Sequence, residues 1–316
     1  MKNFCRRFLL LFLIIILCTS GASAAKLLIP GGQVIGLVLE DDSVTVVDFA
    51  PELGKTAKAD GLQKGDRLLQ VDKQKIGCVE DLKKALLCSD GRVKVRISRG
   101  TKEKTLTLHP KATADGPKLG VYLKEGLTGL GTVSFYDPET GVFGALGHGV
   151  NDPAGKLLTM KTGQVYEAAV AAVKKGEIGA PGQLLGKLES KKLGQLDKNT
   201  QQGVFGKVTG RGEALPVGQA KTGSAIIRST VDGKGLQEYS VEILKIYANS
   251  GGRTRNLLLK ITDPRLLECT GGIVQGMSGS PLVQDGKLIG AVTHVLVNDP
   301  TMGYGIFIEN MLDAAG

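Results

Sequence analysis

The chain has 316 residues, 45 of them Gly, with 4% aromatics and no Trp; 40 Lys and Arg against 31 Asp and Glu give a net charge of +9. That length predicts two domains, and the Gly-rich, aromatic-poor mixture predicts short strands and tight turns in place of helical bundles. The excess falls to +6 without Lys2, Arg6 and Arg7. With no basic stripe and no interleaved aromatics it argues against nucleic acid, leaving a weak pull towards an anionic membrane surface.

The start, MKNFCRRFLLLFLIIILCTSGASAAK, has the order of a secretory signal: positive residues, an apolar run from Phe8 to Cys18, then small residues ending at Ala24. Residues 1–25 are therefore expected to be a signal peptide or, if retained, a membrane anchor, and the protein to be exported across the cytoplasmic membrane. Cys78, Cys88 and Cys269 remain beyond it. Their odd number and lack of ligand spacing read as small buried hydrophobes, with a Cys78–Cys88 disulfide conceivable in an oxidising compartment.

Residues 26–110 form a first unit. QVIGLVLE and SVTVVDFA alternate as strands about a turn at Asp41-Asp42. Lys64-Gly65-Asp66 turns the chain into a strand from Arg67 to Val71, and CVEDLKKALLCSD sets Val79, Leu82, Leu86 and Leu87 on one helical face. RVKVRISRGTKEKTLTLHP reads as a hairpin. ADGLQKGDRLLQVDKQKI in this setting resembles a PDZ domain, a small α+β fold. The resemblance implies a peptide groove beside the helix and a backbone N–H loop at Gly32, Val34, Ile35, Gly36 and Leu37.

KATADGPKLG, residues 111–120, reads as a linker. From 121 to 316, short runs such as GTVSFYD, GVFGKVTG, SAIIRST and EYSVEILKI alternate with Gly, which predicts β-barrels. Only ENMLDAAG and YEAAVAAVKK invite a helix. Gly276-Met277-Ser278-Gly279-Ser280-Pro281 puts a serine in a Gly-flanked turn, where the N–H groups of Gly276 and Ser278 can face a developing oxyanion. PLVQDGKLIGAVTHV follows as a hairpin with Asp285-Gly286 at its tip.

This stretch resembles the serine region of chymotrypsin-like proteases, whose fold is a double β-barrel and whose chain order is His, Asp, Ser. A serine needs a base, and His148 in FGALGHGV fits that order. Thr293 then falls where such enzymes hold the triad carboxylate, and His294 on the strand lining the cleft. Of Asp152, Asp263 and Asp299, Asp263 keeps the order and closes an apolar strand before Pro264, where a turn cap is the competing use. Met277 stands where trypsin-like enzymes carry their activating aspartate, and Gly272 near their Lys/Arg-selecting one. HGVNDP at 148–153 and HVLVNDP at 294–300 repeat a phrase, readable as equivalent turns of two barrels or as coincidence.

The whole array, with GALGHGVND and IVQGMSGSPLVQDGKLIGAVTHVLVNDPTMGYGIFIENML, resembles the stage IV sporulation protein B peptidase family. The resemblance implies a serine endopeptidase with catalytic His148, Asp263 and Ser278, whose PDZ domain assists self-cleavage and substrate targeting. It implies work in the space between forespore and mother cell. The substrate there is the extracytoplasmic part of a membrane protein that restrains an intramembrane metalloprotease, and its cleavage allows a late sigma factor to be processed. Two alternatives stand beside it: an exported PDZ scaffold with an inactive barrel, and a quality-control serine protease with broad substrates. No cofactor is expected, nor a metal, because His109, His148 and His294 lack ligand spacing.

Overall fold

The computed structural model describes residues 25–152, 155–247 and 254–316; of the expected signal or anchor segment, 1–25, all but the last residue lies outside them. In chain order the elements are β1 (Leu27–Pro30), β2 (Val34–Phe49), α1 (Lys55–Ala59), β3 (Arg67–Val71), β4 (Gln74–Lys75), α2 (Val79–Leu87), β5 (Val93–Arg99), β6 (Lys102–Leu108), β7 (Val121–Tyr136), β8 (Val142–Ala145) and β9 (Thr162–Lys174). Then come β10 (Gln183–Thr200), β11 (Gly203–Lys207), β12 (Leu215–Pro216), β13 (Gly223–Ser229), β14 (Gln237–Ile246), β15 (Leu257–Ile261), α3 (Pro264–Thr270), β16 (Pro281–Gln284), β17 (Lys287–Leu296), β18 (Asp299–Phe307) and α4 (Ile308–Ala315).

The mostly-β expectation holds, with two rings. β13-β14-β15-β18-β17-β16 is a closed barrel. The path β7-β8-β11-β10-β9-β2 closes on itself through the extra β2–β7 pairing, giving a second ring of six strands. The PDZ unit hangs from this second ring, because β2 and β7 each run through both. Val34–Leu39 of β2 pairs with Thr132–Leu127 in the barrel, and Val44–Phe49 pairs with Glu125–Val121 in the PDZ sheet. Residues 111–120 lie between β6 and β7 outside the named strands, and β7 then carries the chain from the PDZ sheet into the barrel.

The turn expected at Asp41-Asp42 is a register shift inside one long strand. Asp41 is buried, accepts from Ser43 and is paired with Arg67 of β3 at 3.0 Å, so its charge is met without leaving the sheet. YEAAVAAVKK is likewise strand β9, held over its length by β10; ladder pairing overrides the alanines' helix preference. Cys78, Cys88 and Cys269 are free thiols. Cys78 and Cys88 cap the two ends of α2, about 15 Å apart at 1.5 Å per residue, too far to bridge.

Three clusters fill the molecule's main cores. Val44, Val46, Leu68, Leu82, Val95 and Ile97 pack under the PDZ sheet. Ile35, Leu37, Val133, Phe143 and Val204 fill the ring of β7, β8, β11, β10, β9 and β2, the first barrel in chain order, and Ile227, Val241, Leu259, Met277, Leu282 and Val292 fill the closed barrel of β13 to β18, the second.

Candidate active site

The two barrels meet where each sends a glycine-bearing turn against the other. After β8 the backbone reverses through Leu146 (φ 70°) and Gly147 (φ 68°), both left-handed. A Cβ at Gly147 would lie 2.9 Å from Thr293 Cγ2 and 3.0 Å from Ile306 Cγ2, so glycine lets this turn close onto the second barrel and deliver His148 there. From the other side comes the serine turn. Thr132 of β7 grips it twice, its N–H donating to Ser278 O at 3.0 Å and its Oγ1 to Gly276 O at 2.7 Å.

His148, Ser278 and His294 consequently line one cleft of about 490 Å³, floored by Leu37, Leu130 and Gln275. The two imidazole centroids are 5.2 Å apart, tilted by 41°. His148 Nδ1 lies 3.0 Å from Gly149 O. A carbonyl only accepts, so Nδ1 carries the hydrogen and Nε2 keeps its lone pair. Burial lowers the His148 pKa, partly offset by that carbonyl. Burial pushes His294 down to about 4, helped by the positive charge on His148 when protonated and on Arg255. Near pH 7 both rings are neutral, the state a base requires.

Ser278 Oγ donates to Thr293 O at 2.8 Å, so in this state the hydroxyl is turned from both histidines. Around it, the N–H groups of Gln275, Met277, Gly279 and Ser280 donate to Gly182, Val274, Val292 and Met277 carbonyls. Those of Gly276 and Ser278 have no acceptor among the described residues. Two alternate amides of one turn, left unpaired beside a serine, suit an oxyanion.

Asp263, expected as the third member of the triad, makes its hydrogen bonds away from His148 in this state. It caps α3, with Pro264 at the first helical position. Its carboxylate accepts from Arg265 N at 2.9 Å, Arg265 Nη2 at 2.8 Å and Ser240 N at 3.2 Å. Arg265, against the opposing effect of burial, holds its pKa down at about 2. The ladder explains the separation. Leu258 pairs with Tyr304, which pairs with His294, and Asp263 lies five residues beyond Leu258, about 16 Å along at 3.3 Å per residue. Thr293 Oγ1, expected to hold the carboxylate, sits 3.2 Å from Tyr304 O and 3.3 Å from Thr254 O instead.

The expected PDZ loop is also relocated. Val34, Ile35 and Leu37 point into the barrel cores. Gly32 (φ 108°) abuts Leu236 and Arg228, and a Cβ on Gly36 would meet Leu188 at 2.3 Å. The groove beside α2 is walled by Val79, Leu82 and Leu86 on one side and by Leu119, Gly120 and Val121 on the other. Its second wall is thus the start of β7. Met277 is fully buried in the second barrel's core. At Gly272 (φ 135°) a Cβ would lie 2.1 Å from Pro300 O, so no selecting side chain fits there.

Sequence reasoning missed two contributors: Thr132, for which no motif signals, and the approach of the His294 ring to that of His148. The repeated His and Val-Asn-Asp-Pro phrase was the available signal for the second.

A family model described as SpoIVB peptidase S55 matches residues 115–312, and a PDZ domain model matches 34–109. Similar solved structures include the Rv3671c protease in an inactive form, at 16% identity over 60% of this chain and 85% of that one, TM-score 0.35. They also include the Rv3671c protease from M. tuberculosis in an active form, at 16% identity over 60% and 75%, TM-score 0.35. A search of curated proteins finds no match.

Proposed function

The chain belongs to the SpoIVB peptidase S55 family and is a PDZ-containing serine endopeptidase acting on protein substrates; we propose that Ser278 is its nucleophile and His148 its base. The observation that carries this reading is the shared cleft, where a neutral imidazole and two unengaged amides surround one serine. A substrate N–H that takes the Thr293 carbonyl frees the Ser278 hydroxyl to turn towards His148 Nε2. Nε2 takes the proton as Oγ bonds the scissile carbonyl carbon, and the Gly276 and Ser278 N–H groups receive the oxyanion. His148 then passes the proton to the leaving amine, and water repeats the cycle on the acyl-enzyme.

The wider reading follows the family. The signal-like start supports export, and family membership supports action between forespore and mother cell, where the enzyme processes itself. Its target there is a membrane protein's extracytoplasmic part, whose cleavage releases an intramembrane metalloprotease and lets a late sigma factor be processed. The groove between α2 and the start of β7 would hold a tail or loop of that target, raising the local concentration of the scissile segment.

Fragments of the full chain, mapped by N-terminal mass spectrometry, test self-processing. Wild type should accumulate defined N-termini that Ser278→Ala lacks entirely. The same fragments from folded Ser278→Ala would assign the cutting to another protease.

A further inference from the structure

We propose that Arg67, a residue of the PDZ sheet, is a positioning residue for the protease: its guanidinium fixes Asp152, and through it the turn that carries His148. This rests on Ser278 and His148 being nucleophile and base. Arg67 opens β3, where its backbone pairs with Thr45 of β2 and Ser98 of β5. Its side chain bridges two carboxylates. Nη2 donates to Asp41 Oδ2 at 3.0 Å, and Nη1 donates to Asp152 Oδ2 at 3.1 Å. Asp41 is buried, and Ser43 Oγ donates to its other oxygen. A guanidinium seated on a buried carboxylate is aimed, because its planar fork sets where the second arm points. That arm meets the loop that follows His148.

The loop needs such an anchor, since from Leu146 to Lys161 the chain runs outside the named strands. Asn199 of β10 fastens it at Val150, accepting from Val150 N at 2.9 Å and donating to Val150 O at 2.8 Å and Leu158 O at 2.9 Å. Asp152 closes the loop on itself, its Oδ1 accepting from Lys156 N at 3.0 Å, while its Oδ2 takes Arg67. His148 therefore lies between a turn packed on Thr293 at Gly147 and an anchor supplied by the PDZ unit. Gly149 O, the carbonyl that sets the His148 tautomer, is inside that span. Once Asp152 is released, the span can pivot at Val150, and a shift of about 1 Å at a base costs on the order of 10²-fold in rate. Lys161 paired with Asp42, and Thr162 Oγ1 donating to Glu40 at 2.8 Å, also join the barrel to β2, but at the approach to β9 and beyond the histidine turn. The PDZ unit thus acts on the chemistry even with no peptide in its groove.

The experiment uses the full chain and reads two rates. One is labelling of Ser278 by a small fluorophosphonate, which needs no groove; the other is turnover of a quenched peptide spanning a self-cleavage point mapped in the wild type. Asp152→Ala should lower both the labelling rate and kcat by about 10- to 100-fold with KM within about threefold, the pattern of a group acting through the base. Asp152→Asn keeps an acceptor for Lys156 N and a neutral one for Arg67, so it should hold an intermediate rate; it also serves if the alanine variant fails to fold. Arg67→Gln combined with Asp41→Asn leaves no buried charge stranded and should match the Asp152→Ala loss. Adding Asp152→Ala to that pair should slow labelling no further, because both changes break one contact. Lys161→Ala, which cuts the neighbouring bridge to Asp42, should label within about twofold of wild type. The proposal is overturned by a folded Asp152→Ala that labels within about fivefold of wild type, by losses that multiply when the variants are combined, or by a Lys161→Ala as slow as Asp152→Ala. Persistent activity in Ser278→Ala or His148→Ala would instead sink the underlying nucleophile and base assignment.

Discussion

His148→Ala is expected to leave the chain folded and to lower kcat/KM by about 10⁴–10⁶-fold, the loss that follows removal of a serine's base. The loss is that large because the Ser278 hydroxyl has no other base positioned for it: its present partner, Thr293 O, is a carbonyl. His294 shares the cleft but is pushed down to about 4, which makes it a poor proton acceptor at neutral pH. A pH profile supplies the second signature. His148 must be neutral to act, and burial lowers its pKa, so wild-type kcat/KM should stay level as pH falls to the ordinary histidine range. It should decline only below about 6.5. An acid limb centred above that value would mean a carboxylate faces His148 in the working enzyme.

Gly279→Ala should be among the most damaging single-methyl additions at the described residues. Its backbone is left-handed (φ 98°), and the new Cβ would sit 2.0 Å from Thr132 O and 2.5 Å from Leu146 N. Both atoms are backbone, so neither yields by a rotamer change. The dihedral cost and the overpacking together come to about 3–5 kcal/mol, lowering the melting midpoint by roughly 10 °C. Gly286 is the comparison: φ is 71° there too, but nothing lies within 4 Å of a Cβ. Gly286→Ala should therefore cost only the dihedral term, about 1 kcal/mol. Thermal melts of the two variants separate conformation from contact. Activity should vanish in Gly279→Ala alone, because the displaced turn also carries the grip of Thr132 on Ser278. Equal melting points would mean that the barrels do not clamp the serine turn as described.

What the sequence disclosed was whatever a short stretch must supply by itself. The serine turn needs glycines on both sides of Ser278, and the hairpin behind it needs Asp285-Gly286; both are written locally. α2 announces itself through Val79, Leu82 and Leu86. Long-range geometry was another matter. Its place at the end of an apolar strand before Pro264 favoured Asp263, and chain order allowed it, yet neither says where that strand end lies in space, and Asp-Pro before Leu266 is a helix cap. The groove wall was sought at Gly32 to Leu37 because nothing local reveals that β2 belongs to two sheets. That knowledge resides in the β2–β7 register. His294 was read as cleft lining or triad support, and its closeness to His148 depends on Gly147 packing against Thr293, a contact between segments nearly 150 residues apart.

The most direct test of the account is covalent labelling of residues 25–316 by a fluorophosphonate, with the modified peptide identified by mass spectrometry. The account predicts one adduct, on Ser278, formed far more slowly in His148→Ala and not at all in Ser278→Ala. A folded wild-type protein that cleaves its peptide while Ser278 stays unlabelled, or an adduct on another serine, would contradict it.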